Sequence, residues 1–126
     1  MSFILLDGCS VKSYNFIIQN KKATKKMDRK LFYRFAEYWD AIRKKNFERS
    51  YKMELPYIQY VYDISYYKKA LQNIQVKKIE VYKVEYKDPV YIITIKLGNS
   101  WQKDKWIEID GEYYHILKDP ILFPKM

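Results

Sequence analysis

One cysteine, one histidine, three glycines and four prolines are spread over 126 residues, and each scarcity removes a class of explanation. A lone cysteine forms no internal disulfide, so the fold does not depend on the redox compartment. With a single histidine beside it, the usual Cys/His zinc sets are excluded; no metal and no cofactor are expected. So few glycines and prolines leave little punctuation for loops, which fits long regular elements. No apolar run approaches the roughly 20 residues that a membrane-spanning helix needs. The longest are Phe3–Leu6 and the stretch 90–95, which Thr94 interrupts. There is no glycine-rich phosphate loop, no nucleophile elbow and no paired-ligand helix.

Apolar and aromatic residues are plentiful. They make up 48% and 18% of the chain, a folding composition rather than a disordered one. The length suits one domain with one sizeable core. Fourteen tyrosines bury rings while asking for hydroxyl partners, as in a partly wet cavity or an interface; a codon bias toward Lys, Ile and Tyr would give the same composition. The net charge of +9 is concentrated, because residues 21–52 hold twelve Lys/Arg against four Asp/Glu. Such a block reads either as an arm meeting an anionic surface, with membrane contact through residues 21–30, or as a solvated basic face without a partner.

Periodicity places the elements. Asp28 is an N-cap residue, and Leu31, Phe32, Phe35, Tyr38, Trp39 and Ile42 follow on one arc, which predicts an amphipathic helix over 28–45. Phe47, Tyr51 and Leu55 predict a short second helix ending at Pro56. Residues 57–63 fit either extended chain or helix, and Asp63 or Ser65 caps a further helix over 64–73. After Asn73 the period becomes two. A long first strand carries phase slips that suggest bulges, and Val90–Leu97 forms a second. Residues 98–104 read as a loop. A terminal hairpin turns at Asp110-Gly111, the pair that a type I′ turn favours. In that register Ile107 faces Tyr114, Glu108 faces Tyr113 and Trp106 faces His115.

This is an α+β plan of three N-terminal helices packed on a bent antiparallel sheet of about four strands. Two segments carry a family resemblance. "FYRFAEYWDAIRKKNFERSYKM", an aromatic-rich helix, a polar break and a short helix centred on Tyr51, resembles the opening of the nuclear transport factor 2-like (SnoaL-like) superfamily. "DKWIEIDGEYYHILKDP" resembles its terminal hairpin. The resemblance spans residues 28–119 and implies a strongly curved sheet, hence a cone-shaped domain with a pocket at its open end, in a superfamily where many members dimerise through the outer sheet face. That superfamily hosts dehydratases, isomerases, binders and interaction modules, so it implies no function by itself.

The candidate chemistry is sparse. His115 has the one ordinary pKa near neutrality; on a concave face it would join Glu108 and Tyr113 in proton transfer, and on a convex face it belongs with Trp106 and Tyr113 in a dimer interface. The second placement is the expectation. Asp40 reads as the partner of Lys44 at i+4 rather than as a base. Tyr33, Trp39, Tyr60 and Tyr67 are candidates to line the pocket. Nucleic acid is not the expected partner, because the aromatics of the basic helix lie on its buried arc and strand lysines alternate with glutamates.

Residues 1–27 are expected to be a leader remnant and a basic tether, with residues 28–126 the folded domain. "LLDGC" resembles a bacterial lipobox ending in a lipidated Cys9, although Asp7 departs from the usual small residue and the apolar run is short for a leader. If the true start lies upstream, the address is the cell envelope on the periplasmic side; if the chain is complete, it is the cytoplasm. The expected function is a non-catalytic ligand-binding or protein-interaction module of the cell envelope, lipid-anchored and homodimeric, that meets a small apolar ligand or an envelope protein. The alternative is a small cofactor-free isomerase or lyase acting on an apolar molecule in the same pocket.

Overall fold

Asp28 starts the first helix as its side chain dictates: the carboxylate accepts from the Leu31 backbone N–H at 2.7 Å. The computed structural model describes residues 14–19 and 27–117. Helix α1 (Arg29–Arg43) buries Leu31, Phe35, Tyr38, Trp39 and Ile42 along one stripe. Lys44 caps its end, and Lys45, at φ 62°, breaks the helical path. Asn46 caps α2 (Phe47–Tyr51), and Asp63 caps α4 (Ile64–Leu71) through the Tyr66 N–H at 2.9 Å. Between them, Pro56 sits in the first turn of α3 (Pro56–Val61), where its missing N–H costs nothing.

The sheet has five strands in sequence order: β1 (Ile17–Gln19), β2 (Ile79–Lys87), β3 (Val90–Leu97), β4 (Ser100–Ile109) and β5 (Glu112–Ile116). Strand β1 runs parallel to β2, and the other pairs are antiparallel. The β2–β3 register shifts between Val81 and Lys83, a bulge at Tyr82. Asp110 and Gly111, at φ 52° and 84°, make the β4–β5 turn, and the hairpin register is the one read from that pair. One face carries the apolar side chains Ile79, Val81, Val84, Ile93, Ile95, Trp106 and Tyr113, which join α1 in a single buried core. Each such side chain contributes about 1.5–3 kcal/mol through removal from water.

The fold departs from the expected one. There are four helices among the described residues rather than three, and the sheet is mixed and five-stranded rather than antiparallel with about four strands. The reasons are local. Pro56 opens a helix in the segment that read ambiguously, and Ile17–Gln19 pairs its backbone with Ile79–Val81 ahead of all the helices. The sheet therefore takes in residues that the sequence had suggested were tether. Residues 98–104, expected as a loop, mostly extend β4 instead, because alternate residues there still meet the core. No helix among the described residues is long and apolar enough to cross a membrane. Cys9 and most of the basic stretch 21–30 lie outside the described residues.

Candidate functional site

The most unusual feature of the core is charge. Glu54, Asp104 and His115 are 0%, 6% and 4% exposed, and groups of this kind are rarely buried unless paired. Backbone geometry brings them together. Residues 53–55 run alongside β5: Leu55 N–H donates to the His115 carbonyl and His115 N–H to the Met53 carbonyl, each at 2.8 Å. Extended chain just before Pro56 is what the proline ring favours. Asp104 arrives from β4, two residues from Trp106, which lies opposite His115.

The imidazole bridges the two carboxylates. Nδ1 donates to Glu54 Oε1 at 2.8 Å and Nε2 to Asp104 Oδ1 at 2.7 Å. The second oxygen of each carboxylate is also taken. Glu54 Oε2 accepts from the Tyr38 hydroxyl at 2.5 Å and the Tyr67 hydroxyl at 2.7 Å. Asp104 Oδ2 accepts from the indole N–H groups of Trp39 at 3.0 Å and Trp106 at 2.8 Å. Tyr38 also stacks on the imidazole, with ring centroids 4.0 Å apart. Burial alone would depress the imidazole pKa, but the fields of Glu54 and Asp104 and their hydrogen bonds outweigh it and raise it to about 10. At neutral pH the ring is therefore an imidazolium and both nitrogens donate. The same burial, with the Glu54 charge beside them, holds the Tyr38 and Tyr67 hydroxyls well above their ordinary range, fully protonated.

A cavity of about 290 Å³ abuts this cluster. Ile42, Leu71, Ile74 and Leu117 give it apolar walls, and Trp39, Asp104 and His115 form its polar side. Among the described residues no group of three or more His, Cys, Asp or Glu could hold a metal ion. The geometry explains this, since the two carboxylates approach opposite nitrogens of one ring and do not converge on a common point.

The expected site residues scatter. Trp39 lines the cavity. Tyr67 is bonded to Glu54, while Tyr33 and Tyr60 are 40% and 89% exposed. Asp40 is buried and paired with Arg43 at 2.6 Å and Lys44 at 3.2 Å; despite its burial, those two cations hold its carboxyl below the usual range. Glu108 is exposed. Tyr113 is buried and donates to the N-cap carboxylate of Asp28 at 2.6 Å. Trp106, Tyr113 and His115, expected on an outer dimer face, point inward against α1 instead. Hairpin parity had placed them on one face, but it could not say which face the helices cover.

Two residues of the cluster were missed. Glu54 fell inside an expected helix, and the signal against that helix was Leu55 standing before Pro56. Asp104 fell inside an expected loop, although Gln102, Asp104, Trp106 and Glu108 share one strand phase.

The cluster and cavity define a domain with a buried polar centre that forms one wall of a largely apolar pocket. No family model matches the chain, and no curated protein matches it. It is similar to a SEC-C motif containing protein from Rhodopseudomonas palustris, known from its solution structure, with 13% identity over 67% of this chain and 73% of that one and a TM-score of 0.47. The resemblance to the nuclear transport factor 2-like superfamily finds no support in these comparisons, and neither does a lipoprotein of the cell envelope.

Proposed function

We infer that the chain is a non-catalytic binding module whose cavity takes a small, largely apolar ligand. The observation that supports this reading is the saturation of the polar centre. Both nitrogens of His115 and all four oxygens of Glu54 and Asp104 already have partners inside the chain. A general base needs a free lone pair within reach of a substrate proton and a pKa near the working pH, and an imidazolium held at about 10 has neither. The cluster instead holds α1, residues 53–55 and the hairpin in register, which keeps the walls of the cavity in place. At about 290 Å³ the cavity stands at the small end of ligand pockets. The runner-up, a cofactor-free isomerase or lyase, draws on the presence of His115 and Asp104 in the cavity wall.

Titration with naphthalene, followed by NMR, tests the reading. Saturable shifts of the Ile42, Leu71 and Ile74 methyl signals are expected, removed by Ile74→Trp at the half-buried rim, with the His115 imidazole nitrogens unmoved. Absence of saturable shifts sinks the binding reading. A ligand that releases His115 from Glu54 or Asp104 would move the nitrogen signals and transfer the weight to the catalytic alternative.

A further inference from the structure

The outer face of the sheet has a chemistry unlike that of the cavity. Strand pairing sets Lys83 beside Thr94 and Lys103, Glu80 beside Lys96 and Trp101, and Glu85 beside Ile92 and Lys105. These rows alternate with the buried ones, so they share the face turned away from the helices. Trp101 and Tyr82 are 55% and 43% exposed, with ring centroids 4.5 Å apart. The ammonium of Lys96 lies 5.7 Å from the Trp101 ring, and the Tyr82 hydroxyl donates to Glu80 at 3.2 Å, which steadies the tyrosine. The bulge between Val81 and Lys83 is what turns Tyr82 toward Trp101.

Lys83, Lys87, Lys96, Lys103 and Lys105 stand on this face against Glu80 and Glu85. Glu80 is occupied by Lys78 at 3.9 Å and Glu85 by Lys83 at 3.4 Å. Among the described residues, Lys96, Lys103 and Lys105 have no ion-pair partner. Exposed rings with unpaired lysines around them match a ligand that alternates flat faces with anionic links. Bases stack on aromatic side chains whatever their identity, and phosphates meet the cations between them. A purely anionic partner would use the lysines but leave the rings without a role.

We propose that the Tyr82–Trp101 face binds single-stranded nucleic acid, with bases on the two rings and phosphates on Lys96, Lys103 and Lys105. The sequence argued against nucleic acid because the aromatics of the basic helix are buried and the strand lysines alternate with glutamates. The first ground stands for α1 and does not reach Trp101, which lies in a segment that had read as a loop. The second holds for Lys78 and Lys83, which pair with Glu80 and Glu85, and does not reach Lys96, Lys103 and Lys105.

The test is fluorescence anisotropy of a labelled fifteen-residue oligothymidylate with the full chain. Saturable binding is expected, with log affinity falling against log salt at a slope of roughly 2, about 0.7 for each of three phosphates neutralised. Trp101→Ala should weaken binding about tenfold, consistent with the loss of one stacked base, and Lys96→Glu with Lys105→Glu should weaken it further and flatten the salt slope. Lys68→Glu with Lys69→Glu, on α4, should leave the Trp101 effect intact. Binding that is indifferent to Trp101→Ala overturns the proposal. So does polyphosphate or polyglutamate of matched charge binding as tightly as the oligonucleotide with the same sensitivity to Trp101→Ala, and so does the absence of binding at low salt. Lys103 also lines the cavity, so the variants on this face are confined to Trp101, Lys96 and Lys105, which do not, and their outcome is independent of the naphthalene titration.

Discussion

Strand β4 shows two regimes of polar chemistry on alternate residues. Asp104 and Trp106 point inward, where every polar atom of the cluster around them has found a partner within the chain. Trp101, Lys103 and Lys105 point outward, where the indole is 55% exposed and the lysines are left to solvent or to a partner. The two faces can thus be told apart chemically. A buried group must be satisfied by the fold itself, since an unsatisfied one costs about 1–3 kcal/mol and a charge costs more. An exposed group carries no such demand, so its arrangement is free to serve binding. Saturation marks the inner face as structure, and unpaired cations around exposed rings mark the outer face as surface chemistry.

The contrast breaks most directly at Glu54. Its removal strands two donors, His115 Nδ1 and the Tyr38 hydroxyl, and leaves the Tyr67 hydroxyl with Ser50 Oγ as its remaining acceptor. The imidazolium would also lose one of two counter-charges in a site that is almost fully buried. Breaking a buried pair from one side costs about 3–5 kcal/mol, and Glu54→Ala should fall in that range by urea denaturation. A loss under about 1 kcal/mol would show that the cluster is ornamental and that water can replace it.

A pH titration of stability gives the next largest effect. The His115 pKa is raised from its ordinary value of 6.5 to about 10 in the folded chain. Between those values the folded state binds one proton more than the unfolded state. The contribution of His115 is therefore fully present below pH 6.5, falls as pH rises, and is lost once pH passes about 10. Within that window the slope is about 1.4 kcal/mol per pH unit, or about 3 kcal/mol between pH 7 and 9. Chemical denaturation across that interval should show the decline, and His115→Gln should flatten it. A wild-type profile as flat as that of His115→Gln would mean that the buried ring is neutral.

Much of this arrangement was legible in the residues, and what escaped did so for identifiable reasons. The course of α1 follows from its apolar arc and from Asp28, whose cap bond is local and strong. The hairpin follows from Asp110-Gly111, because few residue pairs tolerate two positive φ values in succession. The contact between Trp106 and His115 comes with that register. The direction they face does not, because alternation assigns residues to two faces without saying which one the helices cover. Glu54 was invisible because the edge it occupies is created by β5, sixty residues later in the chain. A lone glutamate after an amphipathic stretch carries no mark of that distant pairing. Strand β1 escaped for a similar reason: three residues joined to β2 by parallel backbone bonds leave almost no periodic trace.

The smallest expected effect is the most discriminating between the faces. Trp101 and Trp106 stand five residues apart on one strand, so sequence distance and residue type are nearly held constant while the environment changes. Trp106 is fully buried and donates to Asp104; Trp101 touches Tyr82 and Lys96 at the surface. Substitutions away from the core and its networks usually fall within about 0.5 kcal/mol, and Trp101→Ala should stay inside that range by thermal or urea unfolding. That outcome leaves the indole with no structural duty and makes any loss of oligonucleotide affinity in the same variant a statement about binding. A cost near 2 kcal/mol would instead make the Tyr82–Trp101 pair a packing element at the bulge and dissolve the distinction between the two faces at that corner of the sheet.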